Sequence, residues 1–449
     1  MGQKNQNFDK MEHHAQSIDD ALIGGLSYKL KAGASYVTNR RSVSYFSSGG
    51  NQYSPNGVRV IKFNLTGDQW LDPSTFRVML QMNNNDFDSA GVIFVKTLSW
   101  NPAVLFRRCR ILCGGQVIED IDDFNRLSLM LTALKSNEEQ LEIASEGFGC
   151  YDSKYGNAAA DTRKTYRLDD FDEAGIVGQS RKVVFKPMAG IFNQDKLIPL
   201  RYCPIQIELE VVNSGGDAVL VDMSGAAGVD KYTSNWDITD VQCKCDLLTL
   251  DNSLENEYAS HLLSGKTLPI NFSTWNHTNQ STGNDKNFSA HINRSLTRLK
   301  AVFITLGFLD SSKLKSCNNF YHPMSNSVSD GYFVADEHSF QVQVGSKLYP
   351  EYPVSSVTES LYQLKKTVGA PFQMYARWYR THRYIIGLDM EKISGAGFTG
   401  LSTKNGDLMT LNFRDCSDGD GASIPSRVYA ALHYDCVLNI KSEGIELLD

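Results

Sequence analysis

The sequence lacks an apolar run long enough to cross a membrane as a helix. Its longest strongly apolar segment is residues 301–309, whereas a membrane-spanning helix needs about 20 residues. The start of the chain is polar and carries His13, His14, Asp19 and Asp20, so we expect no secretory signal there. These absences argue against a membrane protein and against a classically secreted protein.

An excess of positive charge is also missing. The 44 Lys and Arg residues are outnumbered by 51 Asp and Glu, which gives a net charge of -7 and excludes a polycation that coats nucleic acid. Proline is scarce, with 12 residues in 449, while 41% of the chain is hydrophobic. This composition excludes collagen-like and disordered chains and is typical of a globular protein of two or three domains.

Cysteine is sparse and irregularly spaced. The nine cysteines are odd in number and follow no repeating spacing, which argues against a disulfide framework and favours assembly in a reducing compartment. Cys243 lies near Cys245, and Cys109 lies near Cys113, but neither pair has a second pair at zinc-site spacing. We interpret these four as small apolar residues on buried strand faces.

Alternation of apolar and polar residues with a period of two dominates the chain. The clearest stripes lie at residues 205–211, 241–247, 340–344, 409–413 and 428–440. One apolar face and one polar face is typical of strands in a two-layer antiparallel sandwich. Segments rich in Gly, Asn and Ser separate the stripes. The sequence therefore predicts a mostly β protein.

Two helices interrupt this pattern. An apolar stripe at three- and four-residue steps predicts a helix from about residue 124 toward residue 143, and two acids precede it. A second helix is predicted after residue 353, because Ser356 and Glu359 have the spacing of a capping box and Gly369 ends the stripe.

The same order of elements occurs in both halves of the chain. Residues 109–122 and 340–353 each read strand, glycine turn, strand, and each leads into one of the two helices. Each half then closes on a long alternating strand, at residues 236–250 and 428–440. Eight-stranded sandwiches with Greek-key connections are jelly rolls. We therefore predict two tandem eight-stranded antiparallel jelly-roll sandwiches with a short helix in each half.

This interpretation divides the chain into four parts. They are an N-terminal arm and lead-in at residues 1–57, a first jelly roll at 58–251, a linker at 252–266 and a second jelly roll at 267–449.

Motifs that carry chemistry are weak. Residues 395–400 read Gly-Ala-Gly-Phe-Thr-Gly, but no helix or βαβ unit follows, so glycine turns explain them better than a nucleotide site. Asp389 and Glu391 share a sheet face, as in a glycosidase, although a salt-bridged face with Lys392 is the simpler interpretation. The acidic loop at residues 169–173 lacks calcium-loop spacing. We predict no catalytic residue, no cofactor, no metal and no enzyme.

Aromatic residues offer one alternative function. Trp275, Trp378, Tyr375 and Tyr379 could stack sugar rings, although sandwich cores and subunit interfaces use such residues more often. A tandem β-sandwich carbohydrate-binding protein is therefore the alternative to a structural protein.

The charge is uneven near the N-terminus. Residues 22–66 contain no acid but include Lys29, Lys31, Arg40 and Arg41. The Gly, Ser and Asn content of this stretch suggests an extended arm, and a basic arm on an acidic body can face a polyanion such as packaged DNA. A partner subunit's acidic surface or plain solvation explains the charge equally well.

Five segments carry a resemblance to a known family. They are residues 105–122 (LFRRCRILCGGQVIEDID), 192–210 (FNQDKLIPLRYCPIQIELE), 347–353 (KLYPEYP), 397–408 (GFTGLSTKNGDL) and 444–449 (GIELLD). Together they resemble the double jelly-roll major capsid proteins of Polinton-like viruses, virophages and related nucleocytoplasmic large DNA viruses.

The resemblance implies a structural role in a virion. Three chains would form a pseudo-hexameric capsomer, and capsomers would tile an icosahedral shell around double-stranded DNA. The expected partners are the homotrimer, neighbouring capsomers, minor capsid and penton proteins and, through non-specific contacts, packaged DNA, with no membrane span. The N-terminal segment would lie at the inner side of the capsid, so that Lys29, Lys31, Arg40 and Arg41 face the genome. Outward loops are expected at residues 214–232 and 276–288.

Overall fold

Strands dominate the computed structural model of the chain. The described residues are 37–85, 102–135, 179–214, 235–308, 320–323, 338–369, 374, 379, 383–393, 398–404, 408–416 and 424–449.

The first half contains ten strands among these residues. They are β1 (Val37–Phe46), β2 (Gln52–Tyr53), β3 (Val60–Leu65), β4 (Trp70–Asn84), β5 (Phe106–Cys113), β6 (Gln116–Ile121), β7 (Gln179–Phe185), β8 (Ile198–Pro199), β9 (Ile205–Val211) and β10 (Trp236–Leu250). One sheet has the order β1-β10-β4-β7, to which the two-residue strands β2 and β8 attach, and the other has the order β3-β9-β5-β6.

The second half contains nine described strands. They are β11 (Leu268–Ser281), β12 (Phe288–Ile292), β13 (Leu299–Phe308), β14 (Ser339–Val344), β15 (Lys347–Val354), β16 (Ile386–Asp389), β17 (Met409–Arg414), β18 (Pro425–Lys441) and β19 (Gly444–Leu448). Its sheets have the orders β11-β18-β13-β16 and β12-β17-β14-β15, and β19 pairs with β18.

The two halves have the same topology. When β2, β8 and β19 are set aside, each half has eight strands, and their order is 1-8-3-6 in one sheet and 2-7-4-5 in the other. The strand pairs are antiparallel, and this order is that of two interlocked Greek keys, the jelly roll. The prediction of two tandem eight-stranded jelly rolls is confirmed.

The two predicted helices occupy equivalent positions, between the fifth and sixth strands of their halves. Helix α1 spans Phe124–Ala133, and the predicted continuation toward residue 143 lies beyond the described residues. Between the halves, helix α2 spans Asn252–Leu263, and helix α3 spans Val357–Val368 in the second half. The glycine turns before α1 and α3 are also present, since Gly114, Gly115 and Gly345 have positive φ angles.

Helix α2 differs from the expectation of a plain linker. Asp251 caps its N-terminus by accepting a hydrogen bond from the Ser253 amide. The helix packs through Tyr258 against Trp70 of β4, with ring centroids 4.9 Å apart. Its apolar stripe is narrow, and among its residues Leu262 alone is buried. A pattern this weak does not predict a helix from the sequence. Contact with the first sandwich, which the sequence does not reveal, stabilises helix α2.

The N-terminal part of the described chain also differs from the expectation. An extended arm was expected up to residue 57, but β1 pairs along its length with β10, so that Ser42 lies opposite Asp246. The extended-arm interpretation is wrong for residues 37–46, because the pairing partner lies 204 residues later in the chain. The domain boundaries themselves stay predictions.

Cysteine chemistry differs in one place. Cys113, at the end of β5, and Cys203, just before β9, form a disulfide with Cα atoms 5.5 Å apart. The interpretation of Cys113 as an unpaired buried thiol is therefore wrong, because a partner 90 residues away leaves no local pattern. The other pair fits the expectation, since Cys243 and Cys245 are free and buried on β10.

Most buried apolar side chains of both sandwiches form one continuous cluster, and Trp70, Leu248 and Leu250 form a small second one. Alternation on β9 places Ile205, Ile207, Leu209 and Val211 inside, as the sequence predicts. Because the cluster crosses from one half to the other, burial of apolar surface stabilises the two sandwiches as a unit.

We expect Ser356→Ala to destabilise the second sandwich by about 1 kcal/mol. The Ser356 hydroxyl accepts a hydrogen bond from the Glu359 amide at 3.1 Å, and alanine leaves that amide without its cap. Denaturant unfolding followed by circular dichroism measures the change. Ser356→Asp is the matched control, because aspartate keeps an acceptor. An equal loss of stability in both variants would contradict the capping role.

Candidate functional site

The four basic residues proposed as an arm are not all in one environment. Lys29 and Lys31 lie outside the described residues. Arg40 lies on β1, where its Nε donates to Asp246 at 2.8 Å and its Nη2 lies 3.2 Å from Asp72. Arg41, next to it, donates twice to the amide oxygen of Gln69, at 3.0 and 2.6 Å.

The acids around Arg40 compensate its charge. Hydrogen bonds from Ser42 and Arg40 lower the pKa of Asp246, so this carboxylate stays ionised beside the guanidinium. With Asp72 as a second acid, the Arg40 site carries no surplus of positive charge. The positive charge of Arg41 is not compensated in this contact, since its partner is the neutral side-chain amide of Gln69. A genome-facing role for these residues stays a prediction. Arg40 is less suited to contact with DNA than Arg41, because two acids already pair with it.

The acid pair considered for hydrolysis lies in a cluster of acids around one lysine. Asp389 ends β16 and accepts a hydrogen bond from the Glu391 amide at 2.9 Å. The ammonium of Lys300 lies 3.6 Å from the Glu391 carboxylate and 3.6 Å from the buried Asp435. Asp435 in turn accepts a hydrogen bond from Ser273. A lysine therefore bridges two acids here, as in a structural salt bridge, but it is Lys300 and not the expected Lys392.

The aromatic residues do not form an open sugar platform in the described part of the chain. Trp275 on β11 stacks on His433 with ring centroids 4.3 Å apart and tilts against Phe303 at 5.7 Å. Tyr379 is fully buried. Trp378 and Tyr375 lie outside the described residues.

A buried chain of hydroxyl and imidazole groups was not predicted from the sequence. Ser360 of α3 bonds to the Tyr379 hydroxyl at 2.7 Å and donates to the Tyr384 hydroxyl at 3.3 Å. The Tyr384 hydroxyl lies 2.5 Å from Nε2 of His338. A serine linked to a histidine suggests nucleophilic chemistry, but Ser360, Tyr384 and His338 are at most 1% exposed. The network is internal to the sandwich and holds α3 against it.

The junction between the sandwiches contains buried polar and charged side chains. Arg126 of α1, in the first half, donates from Nε to the hydroxyl of Thr305 at 3.2 Å and from Nη2 to the carbonyl of Leu306 at 2.9 Å. Its guanidinium lies 4.0 Å from the ring centroid of Tyr429. All three partners belong to β13 and β18 of the second half, so a buried cation joins the two halves.

Asp123 crosses the junction beside Arg126. Its carboxylate lies 3.3 Å from Nδ1 of His277 and accepts a hydrogen bond from the side-chain amide of Asn279 at 2.7 Å. Both partners lie on β11. Burial by itself raises the pKa of Asp123, but the hydrogen bond and charge of His277, together with Asn279 and Arg126, bring the pKa below its ordinary value. Asp123 is therefore held ionised at the junction.

Within the described residues, no group of three or more His, Cys, Asp or Glu side chains is arranged to hold a metal ion. The acidic loop at 169–173 lies outside these residues. No described helix combines the length and the apolar character needed to span a membrane.

We expect the free energy of unfolding to decrease as the pH falls from 6.5 toward 4, in part because of His338. Burial lowers the pKa of His338 from 6.5 to about 4. Between pH 6.5 and 4 the unfolded chain binds a proton at this histidine and the folded chain does not. The stability that is present above pH 6.5 is therefore lost on acidification, by about 3 kcal/mol in all.

Urea unfolding at several pH values measures this slope. In His338→Gln the slope between pH 6.5 and 4 should be shallower than in the unchanged chain. A surface variant, His291→Gln, provides the matched control, since His291 is exposed. Equal slopes for His338→Gln and the unchanged chain would contradict the assignment.

The fold agrees with solved structures of viral proteins. A crystal structure of PBCV-1 VP54, fitted into a reconstruction of the virophage Sputnik, is similar with a TM-score of 0.59 at 11% identity, over 92% of this chain and 97% of that chain. The Sputnik virophage structure is similar with a TM-score of 0.58 at 8% identity, over 92% and 88%. The Faustovirus major capsid protein is similar with a TM-score of 0.54 at 9% identity, over 92% of both chains.

No family model matches the sequence, and no curated protein matches it either. At 8 to 11% identity the structural likeness establishes the fold alone. The chain has the double jelly-roll fold, and the similarity to those structures covers 92% of it.

Proposed function

We propose that this chain is a major capsid protein, which trimerises into pseudo-hexameric capsomers and assembles into an icosahedral shell around double-stranded DNA. The observation that carries the proposal is the identical strand order, 1-8-3-6 and 2-7-4-5, in two sandwiches of one chain. The likeness to the Faustovirus major capsid protein supports it. The virion is then its location.

The tandem fold suits a tile. Three chains with two similar sandwiches each present six similar blocks around a threefold axis, so a trimer approximates a hexagon. A hexagonal outline lets one kind of unit cover the flat faces of a closed shell. Lateral contacts can each be weak, since many act together in the shell.

The remaining partners follow from this role. Neighbouring capsomers contact the sides of the tile, and minor capsid and penton proteins fill the positions that a hexagonal tile cannot. The basic N-terminal segment, with Lys29 and Lys31, makes non-specific contacts with packaged DNA.

The proposal requires a trimer in solution. We expect light scattering after gel filtration to give about 150 kDa, three times the chain mass of 50.0 kDa, and electron microscopy of concentrated material to show hexagonal particles or shells. A stable monomer at micromolar concentration, with no particles, would contradict the proposal. A monomer that binds a glycan array would favour the carbohydrate-binding alternative.

Removal of the two N-terminal lysines should weaken binding to double-stranded DNA. Each phosphate contact contributes about 0.9 to the slope of log affinity against log salt concentration, so Lys29→Gln with Lys31→Gln should reduce that slope by up to about 1.8. Fluorescence anisotropy with a DNA duplex at several salt concentrations measures it.

The matched control removes two exposed lysines elsewhere, Lys266→Gln with Lys347→Gln. An equal reduction of the slope in both double variants would refute a specific role for the N-terminal lysines.

A further inference from the structure

Glu119 is a buried carboxylate at the junction of the two sandwiches. It lies on β6 of the first half and is 2% exposed. Its Oε1 accepts a hydrogen bond from the Ile191 amide at 2.7 Å, and its Oε2 accepts from the Gly190 amide at 2.8 Å. These amides open the short 3₁₀ turn Gly190–Phe192, which has no side-chain cap of its own.

A third donor comes from the other half of the molecule. Thr274 of β11 is fully buried and donates its hydroxyl proton to Oε2 of Glu119 at 2.6 Å. The carboxylate therefore holds two amides of the first sandwich and one hydroxyl of the second.

The donors around this group suit a carboxylate better than an amide. All three hydrogen bonds bring protons toward it, and an ionised carboxylate has acceptor sites alone. Glutamine would turn its NH₂ group toward a donor. No ion pair among the described residues includes Glu119, so these hydrogen bonds are its main compensation for burial.

Charged and titratable neighbours come from β5, β6 and β18. The charge of Glu119 contributes to the raised pKa values of Cys109, Tyr434 and Cys436. Asp120 is the next residue on β6. Burial raises the pKa of Glu119 above its ordinary value, and the hydrogen bonds from Thr274, Ile191 and Gly190 offset that rise only in part. The group is thus costly to bury and tolerates little loss of its donors.

Backbone packing at the same place is very close. A Cβ atom added to Gly190 would overlap the carbonyl oxygen of Ser273, the residue next to Thr274 on β11. Glycine therefore lets the 3₁₀ turn of the first sandwich lie directly on the backbone of the second. A shift of one sandwich along the other would separate Glu119 from Thr274 and leave the buried carboxylate with two of its three donors.

We propose that Glu119 is a positioning residue, a latch that fixes the orientation of the second sandwich relative to the first through Thr274. A buried charge whose donors are all in place contributes little net stability. The loss of a donor is strongly destabilising, so a different orientation of the second sandwich is disfavoured. On the proposed function, this fixed angle gives the trimer its hexagonal outline, and that part of the inference rests on the proposed function.

The test compares Thr274→Val, which removes the donor at constant shape, with Thr274→Ser, which keeps it. Hydrogen–deuterium exchange of the peptide that contains Gly190–Phe192 should rise about 10- to 100-fold in Thr274→Val, the range for a hydrogen bond to a charged group. Spin labels at Asn64→Cys and Glu443→Cys, two exposed positions on different sandwiches, should show a broader distance distribution. Thr274→Ser should match the unchanged chain in both measurements.

Thr403→Val is the matched control. Thr403 is also buried and its hydroxyl accepts from the Leu296 amide at 2.9 Å, but both residues belong to the second sandwich. This variant should lose comparable stability without a change in exchange at Gly190–Phe192. Gly190→Ala serves as a second variant, since its Cβ atom separates the backbones, and it should broaden the distances as well.

The latch is refuted if Thr274→Val behaves as Thr403→Val does in exchange and in label distance. These measurements use the chain in solution and do not depend on assembly. If the unchanged chain forms no trimer, the proposed function fails while the latch is still decided. If the unchanged chain forms hexagonal particles and Thr274→Val forms them equally regular despite a broadened distance, the link between the latch and the tile is refuted.

Discussion

A β-sandwich leaves unpaired backbone N–H and C=O groups along the outermost strand of each sheet, and this chain has two sandwiches whose edges must not pair at random. At one edge of the first sandwich, the Ser48 amide donates to the carbonyl of Lys62 at 2.8 Å and so links the ends of both sheets. On β12, the His291 amide donates to the side chain of Gln280 at 2.7 Å. On β15, Pro350 offers no donor at all. At these three places the edge offers no free backbone N–H group to another molecule.

The junction covers strands that would otherwise be exposed between the two halves, since β6 and the turn Gly190–Phe192 lie against β11. Two kinds of interaction meet there. A continuous apolar cluster supplies most of the stabilisation, because burial of apolar surface has no preferred direction. Glu119, Asp123 and Arg126 supply direction, because each needs partners at fixed positions in the second sandwich. The three residues lie within one short segment from β6 to α1, so a single piece of the first sandwich determines how the second is seated.

Much of the fold could be predicted because its signals are local. Alternation on β9, β10 and β18, the turn at Gly114, the cap of α3 by Ser356 and the repeat of strand, turn, strand and helix all depend on residues within a few positions of each other. The repeat itself predicted two jelly rolls, and the structure has the same strand order twice. The resemblance of several segments to double jelly-roll capsid proteins pointed to the same fold, which the structural likeness supports.

The candidate site was predicted least well, because its geometry joins residues that are distant in the chain. Arg40 read as a free basic residue until β10 and β4 brought Asp246 and Asp72 beside it. Glu119 was not singled out in the sequence, because nothing near it indicates a contact with Thr274, 155 residues later. The amino-acid order by itself determined which segments are strands and helices and that the pattern occurs twice, since those properties follow from neighbouring residues. Tertiary structure alone decided which charges are paired, which cysteines are joined and how the two sandwiches meet, since each depends on contacts that exist only after the chain has folded.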